Sequence, residues 1–246
     1  MLRGSADLAA LAESAPKLAA FNPDAIRLEG VTCFQLTAEM RNNAREALVP
    51  SGLHPTIPAA LSLQVLDVTE SPWGGFGLAL LRVSCRSGVR ARGFTRAAIA
   101  SSEEACAGLR ESLGYPAQVG SIDFRHGYDG VSVQVRSARD ELMLMVEALD
   151  PEPMALDDVQ YTGTMNLAHT PNGLRLMQVE MNTEANQVER LSARIEAFDG
   201  AAFGDQRISP TRVIAASVVS MDAEFPPVRF VCKPDELAFT GTESVR

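Results

Sequence analysis

The sequence is poor in the residues that build metal, redox and imine chemistry. Its 246 residues include four cysteines, three histidines and one tryptophan, and of its 22 basic residues only Lys17 and Lys233 are lysines. The cysteines and histidines are dispersed, without the short spacings of a zinc site or a redox dithiol. We therefore expect buried free thiols, no metal and no organic cofactor.

Long apolar runs are also missing. No stretch approaches the roughly 18 consecutive apolar residues of a membrane helix, and Asp7, Glu13 and Lys17 interrupt the alanine-rich N-terminus. A signal peptide requires an uninterrupted apolar core, so the sequence predicts a cytoplasmic protein. The net charge of −9 disfavours a surface for nucleic acid or an anionic membrane.

The remaining basic residues are arginines, which is the usual result of a codon bias. The consequence is chemical whatever the cause, because a guanidinium forms no imine and is not a base at neutral pH.

Two regions are expected along the chain, an N-terminal helical segment over residues 1–24 and a single domain over residues 25–246. The first holds a short helix at residues 7–20, and good helix formers predict another at residues 38–48, before Pro50. The strongest helix signal covers residues 102–113, where a capping box precedes the helix and Gly114 ends it.

Alternating or β-branched segments dominate the rest of the sequence. They indicate a predominantly antiparallel β protein of the α+β class, a barrel or sandwich with peripheral helices. The predicted strands are residues 30–37, 60–68, 77–86, 90–100, 121–125, 130–136, 141–149, 161–168, 174–181, 187–198 and 228–233, with a mixture of helix and strand at 208–221.

The hairpin formed by residues 77–86 and 90–100 carries many arginines. A three-residue loop would align Arg86 with Arg90 and Arg82 with Phe94. The side chains of Arg82, Arg86, Arg90, Arg92 and Arg96 would then share one face. Such a face is either solvated or an anion site, and it points either to water or into the barrel.

Residues 108–120, GLRESLGYPAQVG, resemble the signature of the acetoacetate decarboxylase family, approximately G-R-E-x-x-x-Y/F-P-K-K-x-G. Arg110, Glu111, Tyr115, Pro116 and Gly120 match it. Weaker agreement, as in ALVPSGLHP and RLMQVEMNTE, extends the resemblance over most of residues 25–232. The resemblance implies a conical barrel of antiparallel strands that encloses a buried, mostly apolar pocket, and it implies homo-oligomers.

The family's catalytic lysines are missing. In the family, one motif lysine forms an imine with a β-oxo acid and the next lysine lowers its pKa. Here Ala117 and Gln118 occupy these positions. The family's two pocket carboxylates fall near Phe76 or Leu78 and near Ser62 or Gln64. Decarboxylation through an imine is therefore not expected, and whether the protein is an enzyme stays open.

Three functions remain. The first is a protein that binds a small oxo-carboxylate or related metabolite in the pocket, with ligand-binding residues Trp73, Phe76, Arg92, Ile99, Arg110 and Gln118. The second is a lyase, dehydratase or cyclase that uses Glu111 and Tyr115 as catalytic residues, with Arg110 as a carboxylate clamp. The third is a structural subunit whose pocket is filled by side chains. Arg110 and Glu111 also suit a plain ion pair, and Tyr115 a packing role.

Overall fold

The computed structural model describes residues 2–158 and 161–245, and within them strands far outnumber helices. No helix in these ranges is both long and apolar enough to cross a membrane. The helices are α1 (Leu8–Ser14), α2 (Glu103–Leu113) and α3 (Ala238–Gly241). The strands are β1 (Ile26–Met40), β2 (His54–Pro55), β3 (Ala60–Glu70), β4 (Phe76–Ser87), β5 (Arg90–Ala100), β6 (Ala117–Gly127), β7 (Gly130–Ser137), β8 (Leu142–Pro153), β9 (Thr164–Thr170), β10 (Gly173–Val179), β11 (Asn182–Phe198), β12 (Pro210–Phe225), β13 (Phe230–Cys232) and β14 (Thr242–Ser244).

All the described strands belong to one sheet, in the order β14-β13-β10-β9-β5-β6-β7-β8-β11-β12-β1-β3-β4-β2. An additional β4–β5 pairing closes the run from β5 to β4 into a ring. Most pairings are antiparallel, but β5 pairs in parallel with β9 at Gly93–Phe94 and with β6 at Ala98–Ala100. The predicted mainly antiparallel β class with peripheral helices is therefore confirmed, and β5 is the branch point of the sheet.

The sheet packs two apolar cores, one on each face of the wall formed by β12, β1, β3, β4 and β5. Alternation along β3 and β4 separates them: Leu63 and Leu81 face the core inside the ring, whereas Leu66 and Leu80 face the second core. Helix α2 and the β9–β10 hairpin cover this second core. Burying one such leucine stabilises the fold by about 1.5–3 kcal/mol.

Helix α2 is fixed at both ends, which positions the residues that follow it. The Ser102 hydroxyl accepts a hydrogen bond from the Ala105 amide at 3.1 Å. Gly114 has φ +65° and donates its amide to the Leu109 carbonyl, and the buried Asn166 amide donates to the Leu113 carbonyl at 2.9 Å. The predicted helix at residues 102–113 is confirmed, and Tyr115 enters the second core directly after it.

Tertiary pairing overrides local propensity in two places. Strand β1 continues to Met40 and is followed only by two 3₁₀ turns, so the helix predicted at residues 38–48 is wrong. Strand β12 covers residues 210–225 without a helix, so the mixture predicted at 208–221 is wrong as well. Ala38 and Glu39 pair with β12 and β3, and residues 217–221 pair with β11 and β1. These ladders outweigh a helix propensity of a few tenths of a kcal/mol per residue. Helix α1 ends at Ser14, two residues before Pro16.

The β4–β5 hairpin forms, but its predicted register is wrong. Ser87 pairs with Arg90 across a two-residue turn, in which Gly88 has φ +60°. Nearer the middle, Arg82 pairs with Thr95, and Arg96 is the extra residue of a β-bulge. The predicted shared arginine face is therefore absent. Arg82 and Arg92 are buried, the Arg96 side chain is 10% exposed, and Arg86 and Arg90 are exposed.

Candidate functional site

A small cavity in the second core contains one buried arginine. This Arg82 cavity has a volume of about 30 Å³ and is lined by β3 and β4 on one side and by the residues around β9 and β10 on the other. Leu66, Leu78 and Leu80 supply its apolar wall, and the Tyr115 ring lies against it. A cavity of this size holds one or two water molecules. The space is therefore too small for a whole organic molecule unless side chains move.

The guanidinium of Arg82 is held by neutral oxygens alone. Its Nη1 donates to the Thr162 carbonyl at 3.2 Å and to Thr164 Oγ1 at 3.0 Å, and its Nη2 donates to Ser62 Oγ at 3.3 Å. Its Nε is buried without a hydrogen-bond partner, and none of the described ion pairs includes Arg82. Burial lowers the pKa of Arg82. An uncompensated buried cation is costly, so a counter-charge placed here would stabilise the site.

Two phenols border the same cavity. Burial raises the pKa of Tyr115, against smaller lowering effects from the Arg82 charge and from Thr164 and Asn166, so the phenol is a proton donor at neutral pH. Burial also raises the pKa of Tyr161. The Tyr161 hydroxyl is buried and forms no hydrogen bond of normal geometry with the described residues, although the nearby Thr183 side chain lowers its pKa slightly.

Neutral side chains occupy the positions where the family resemblance places carboxylates and lysines. Gln64 lines the Arg82 cavity and donates to Cys33 Sγ at 3.3 Å, and Leu78 is apolar wall. Burial raises the pKa of Cys33 to about 12, so it is a neutral thiol. Ala117 is buried in the second core beside Tyr115. No lysine lines the Arg82 cavity, and Glu180, the carboxylate in its described lining, is paired with Arg92.

An ion pair stands between the Arg82 cavity and an open groove. Arg92 Nη2 lies 2.5 Å from Glu180 Oε1, and a side chain on Gly163 would collide with both partners. Glu180 and Met181 line the cavity and also the groove, whose other walls include Arg90 and Arg229. The groove therefore adjoins the Arg82 cavity, and arginines outnumber carboxylates in its lining.

Three of the predicted ligand residues line a different, larger cavity of about 290 Å³, here called the fork cavity. It lies where β5 parts from β9 and joins β6. Ile99, Arg110 and Gln118 line it, and Arg110 Nη1 donates to the Ala117 carbonyl at 2.9 Å. The alternation of residues 115–118 explains the separation, because Tyr115 and Ala117 face the second core while Pro116 and Gln118 face the fork.

The structure does not assemble the predicted site as one constellation. Among the predicted residues only Tyr115 lines the Arg82 cavity. Glu111 is exposed on α2, and Arg92 is neutralised by Glu180. Trp73 packs edge-to-face on Phe76, with ring centroids 6.0 Å apart. Trp73 also lies so close to α2 that a side chain on Gly108 would clash with it.

Sequence reasoning missed the central residue of the site. Arg82 was expected only as one member of a shared arginine face, although it stands in a run of apolar residues, LALLRV, that signals burial. A charged residue inside such a run is the signal that could have identified it.

No group of three or more His, Cys, Asp or Glu side chains suited to a metal ion occurs in the described part of the chain.

The comparisons with known proteins agree on one family and one fold. The family model described as "Acetoacetate decarboxylase (ADC)" matches residues 11–230. No protein with a curated description matches the chain. A solved acetoacetate decarboxylase from Legionella pneumophila subsp. pneumophila str. Philadelphia 1 is similar, with a TM-score of 0.74, 14% identity, and coverage of 87% of this chain and 88% of that one.

Two further solved structures are similar at comparable distance. An acetoacetate decarboxylase-like enzyme from Sphingomonas wittichii RW1 has a TM-score of 0.66 and 15% identity, and the match covers 84% of this chain and 92% of that one. The enduracididine biosynthesis enzyme MppR complexed with pyruvate has a TM-score of 0.66 and 18% identity, with coverage of 87% and 97%. At these identities the likeness establishes the fold.

Proposed function

The chain belongs to the acetoacetate decarboxylase family, and from this premise we propose that it binds a small oxo-carboxylate at Arg82 without forming an imine. The observation that carries the proposal is the buried guanidinium without a carboxylate partner. A ligand carboxylate would supply the missing charge and accept from the unpaired Nε, as charge-assisted hydrogen bonds favour. An oxo acid suits the fold, since MppR has been solved with pyruvate.

The phenols give the oxo group a hydrogen-bond donor. Tyr115 keeps its proton because burial raises its pKa, and a neutral phenol donates to a carbonyl oxygen. The leucines and Phe225 would surround the carbon skeleton. With a cavity of only about 30 Å³, a pyruvate-sized ligand needs side chains to move, and Glu180 and Met181 are shared with the open groove.

Imine chemistry lacks a nucleophile near this cavity. Lys17 is exposed next to α1. Lys233 Nζ lies 2.7 Å from Glu236 Oε1, and this contact raises its pKa, which keeps the amine protonated. Neither lysine lines the Arg82 cavity. We therefore expect no decarboxylation of acetoacetate above background.

Of the three residues assigned to the catalytic alternative, Glu111, Tyr115 and Arg110, only Tyr115 lines the Arg82 cavity. Glu111 is exposed, and Arg110 contacts the Ala117 carbonyl and the fork cavity. Tyr115 beside Arg82 could still protonate a carbonyl oxygen. The structural alternative is a subunit whose pocket is filled by side chains, and the small volume of the Arg82 cavity favours it. We also expect the protein to be a cytoplasmic homo-oligomer.

The deciding experiment is binding of pyruvate and acetoacetate by calorimetry, with acetone as the uncharged comparison. We expect the acids to bind and acetone not to bind. Tyr115→Phe should weaken binding by about 1 kcal/mol, the worth of one hydrogen bond. Arg82→Met should abolish binding, while Arg212→Met, an exposed arginine paired with Glu39, should leave it unchanged. Absence of binding would favour the filled-pocket alternative.

Borohydride trapping with pyruvate tests the second half of the proposal. Intact-mass and peptide mapping should find no adduct on a lysine side chain. An adduct on Lys17 or Lys233 would contradict the imine-free reading, whereas loss of binding in the calorimetry would leave that reading intact.

A further inference from the structure

The fork cavity is shaped by an irregularity of the sheet. Strand β5 pairs with β9 at Gly93–Phe94 and with β6 at Ala98–Ala100, and in the described chain no strand pairs with residues 95–97 on that edge. Arg96, in this gap, is also the extra residue of the bulge against β4. Bulges often re-aim a side chain next to a functional site. Here the bulge places an arginine in the cavity lining.

The charge of Arg96 is poorly neutralised. Its side chain is 10% exposed, and its two contacts, to the Leu48 carbonyl and to Asp205 Oδ2, are both 3.5 Å long. Asp205 itself is held more closely by Arg207, at 2.7 and 2.9 Å. The Nε of Arg96 is buried without a hydrogen-bond partner, as is the hydroxyl of Thr95, which also lines the cavity. A ligand acceptor in this cavity would therefore satisfy the Arg96 Nε donor.

A second arginine and an apolar wall complete the cavity. Arg110 lies on the α2 side, where its single described hydrogen bond holds it at the Ala117 carbonyl, and the exposed Gln118 lies in the lining nearby. Phe94, Leu167 and Phe203 form apolar wall and belong to the core inside the ring. Two cations next to apolar side chains match a ligand with an acidic group and an apolar body.

We propose that the fork cavity is a second ligand site, which binds a small organic acid with an apolar body, such as an aryl carboxylate. Its volume of about 290 Å³ accommodates a ring and a carboxylate, whereas the Arg82 cavity of about 30 Å³ does not. The acid group lies between Arg96 and Arg110, and the ring contacts Phe94 and Leu167. This site is independent of the function proposed for Arg82.

The test uses benzoate as the probe, in ligand-observed NMR titrations of the full chain. Benzyl alcohol lacks the charge and inorganic phosphate lacks the ring. We expect benzoate to bind at least tenfold more tightly than either. Equal binding of benzyl alcohol or phosphate would overturn the assignment of an apolar acid, and an absence of benzoate binding would overturn the site.

Charge variants at Gln118 place the ligand without disturbing the core, because this residue is exposed. Gln118→Glu should weaken benzoate binding and Gln118→Lys should strengthen it, each by about fivefold for one charge near a partly solvated anion. Arg110→Met should weaken it at least tenfold. Arg82→Met is the matched control for the other cavity and should leave benzoate binding unchanged. Loss of binding in Arg82→Met, or no response to the Gln118 pair, would overturn the proposal.

Discussion

The two buried arginines of the β4–β5 hairpin, Arg82 and Arg92, differ in whether a carboxylate neutralises them. The Arg92 guanidinium is neutralised by Glu180 at 2.5 Å, whereas Arg82 hydrogen-bonds only to hydroxyl and carbonyl oxygens. Taking a cation out of water costs several kcal/mol unless a counter-charge repays it. A residue retained at such a cost, beside a cavity, is better explained by a ligand than by stability.

This contrast predicts opposite effects on the free energy of unfolding. Arg82→Met should be neutral or stabilising by up to about 2 kcal/mol, because an apolar side chain of similar length replaces an unpaired charge. Arg92→Met should destabilise by about 1–3 kcal/mol, because it breaks the pair with Glu180. Urea denaturation of both variants measures the difference. A larger loss in Arg82→Met than in Arg92→Met would make Arg82 a structural residue.

Ala117 permits a second test at the scale of one residue. Ala117→Lys places an amine in the second core, where burial and the nearby positive charge of Arg82 favour its neutral form. We still expect no decarboxylation of acetoacetate, because Gln64 and Leu78 stand where the family resemblance places its carboxylates. Carbon dioxide release measures this, and borohydride trapping reports separately whether the new lysine forms an imine. Turnover well above background would show that one lysine suffices.

At the scale of elements, α2 is the component that positions Tyr115. Its C-terminal turn requires a left-handed residue at Gly114, φ +65°. There a Cβ would lie 2.7 Å from Met177 Sδ and 3.0 Å from Ala168 Cβ. The turn therefore also sets the distance between α2 and the β9–β10 hairpin. Tyr115, the next residue, follows any shift of this turn.

Variants at the two ends of α2 separate stability from site geometry. Ser102→Ala removes the N-cap and should cost about 1 kcal/mol of stability with ligand affinity at Arg82 unchanged. Gly114→Ala should cost about 1 kcal/mol or more from the left-handed conformation alone, and it should also weaken pyruvate binding. Thermal unfolding and calorimetry on both variants measure the two effects. Equal affinity in Gly114→Ala and the wild-type protein would mean that Tyr115 is not positioned by this turn.

Local signals explain which elements could be predicted from the sequence. The capping box and Gly114 define α2 through contacts within a few residues. Alternation predicted β11, which begins at Asn182, before the predicted start at Gln187, and ends at Phe198 as predicted. The helix predicted at residues 38–48 is wrong because helix propensity is a local property, whereas β1 is held by β12 and β3. The predicted grouping of the site residues differs from the structure for a similar reason. The bulge at Arg96 and the fork at β5 arise from long-range pairing, and they decide which cavity each arginine reaches.

At the scale of the whole molecule, the charges are distributed unevenly. The protein carries 31 acidic and 22 basic residues, yet the buried Arg82 and the mostly buried Arg96 line cavities, and Arg90 and Arg229 line the groove next to Arg82. A net charge of −9 repels anions at long range, while local arginines attract them within about one Debye length. Raising the salt concentration should therefore accelerate pyruvate association at low ionic strength and then weaken binding. Stopped-flow kinetics against salt measure both effects, and a rate that only falls would contradict the long-range repulsion.

Acid sensitivity is a second property of the whole fold. Hydrogen bonds from Arg207 hold the pKa of Asp205 below its ordinary value of 3.8, and Arg175 likewise lowers the pKa of Glu243. The Asp205–Arg207 pair lies within the loop before β12, whereas the Arg175–Glu243 pair joins β10 to the C-terminal strand β14. A carboxylate whose folded pKa is depressed contributes stability above its unfolded pKa, and this contribution is lost as the pH falls through the folded pKa.

We therefore expect the free energy of unfolding to fall as the pH drops below about 4, where unfolded carboxylates take up protons. Asp205→Asn should be less stable than the wild-type protein at pH 7, and the difference should shrink as the pH falls below 4, because protonation removes the same charge from the wild-type protein. Urea denaturation at several pH values measures the two curves. Glu70→Gln, at an exposed carboxylate outside these pairs, is the control and should follow the wild-type curve. A constant difference between Asp205→Asn and the wild-type protein across this range would mean that Asp205 acts through hydrogen bonds that an asparagine fails to replace rather than through its charge.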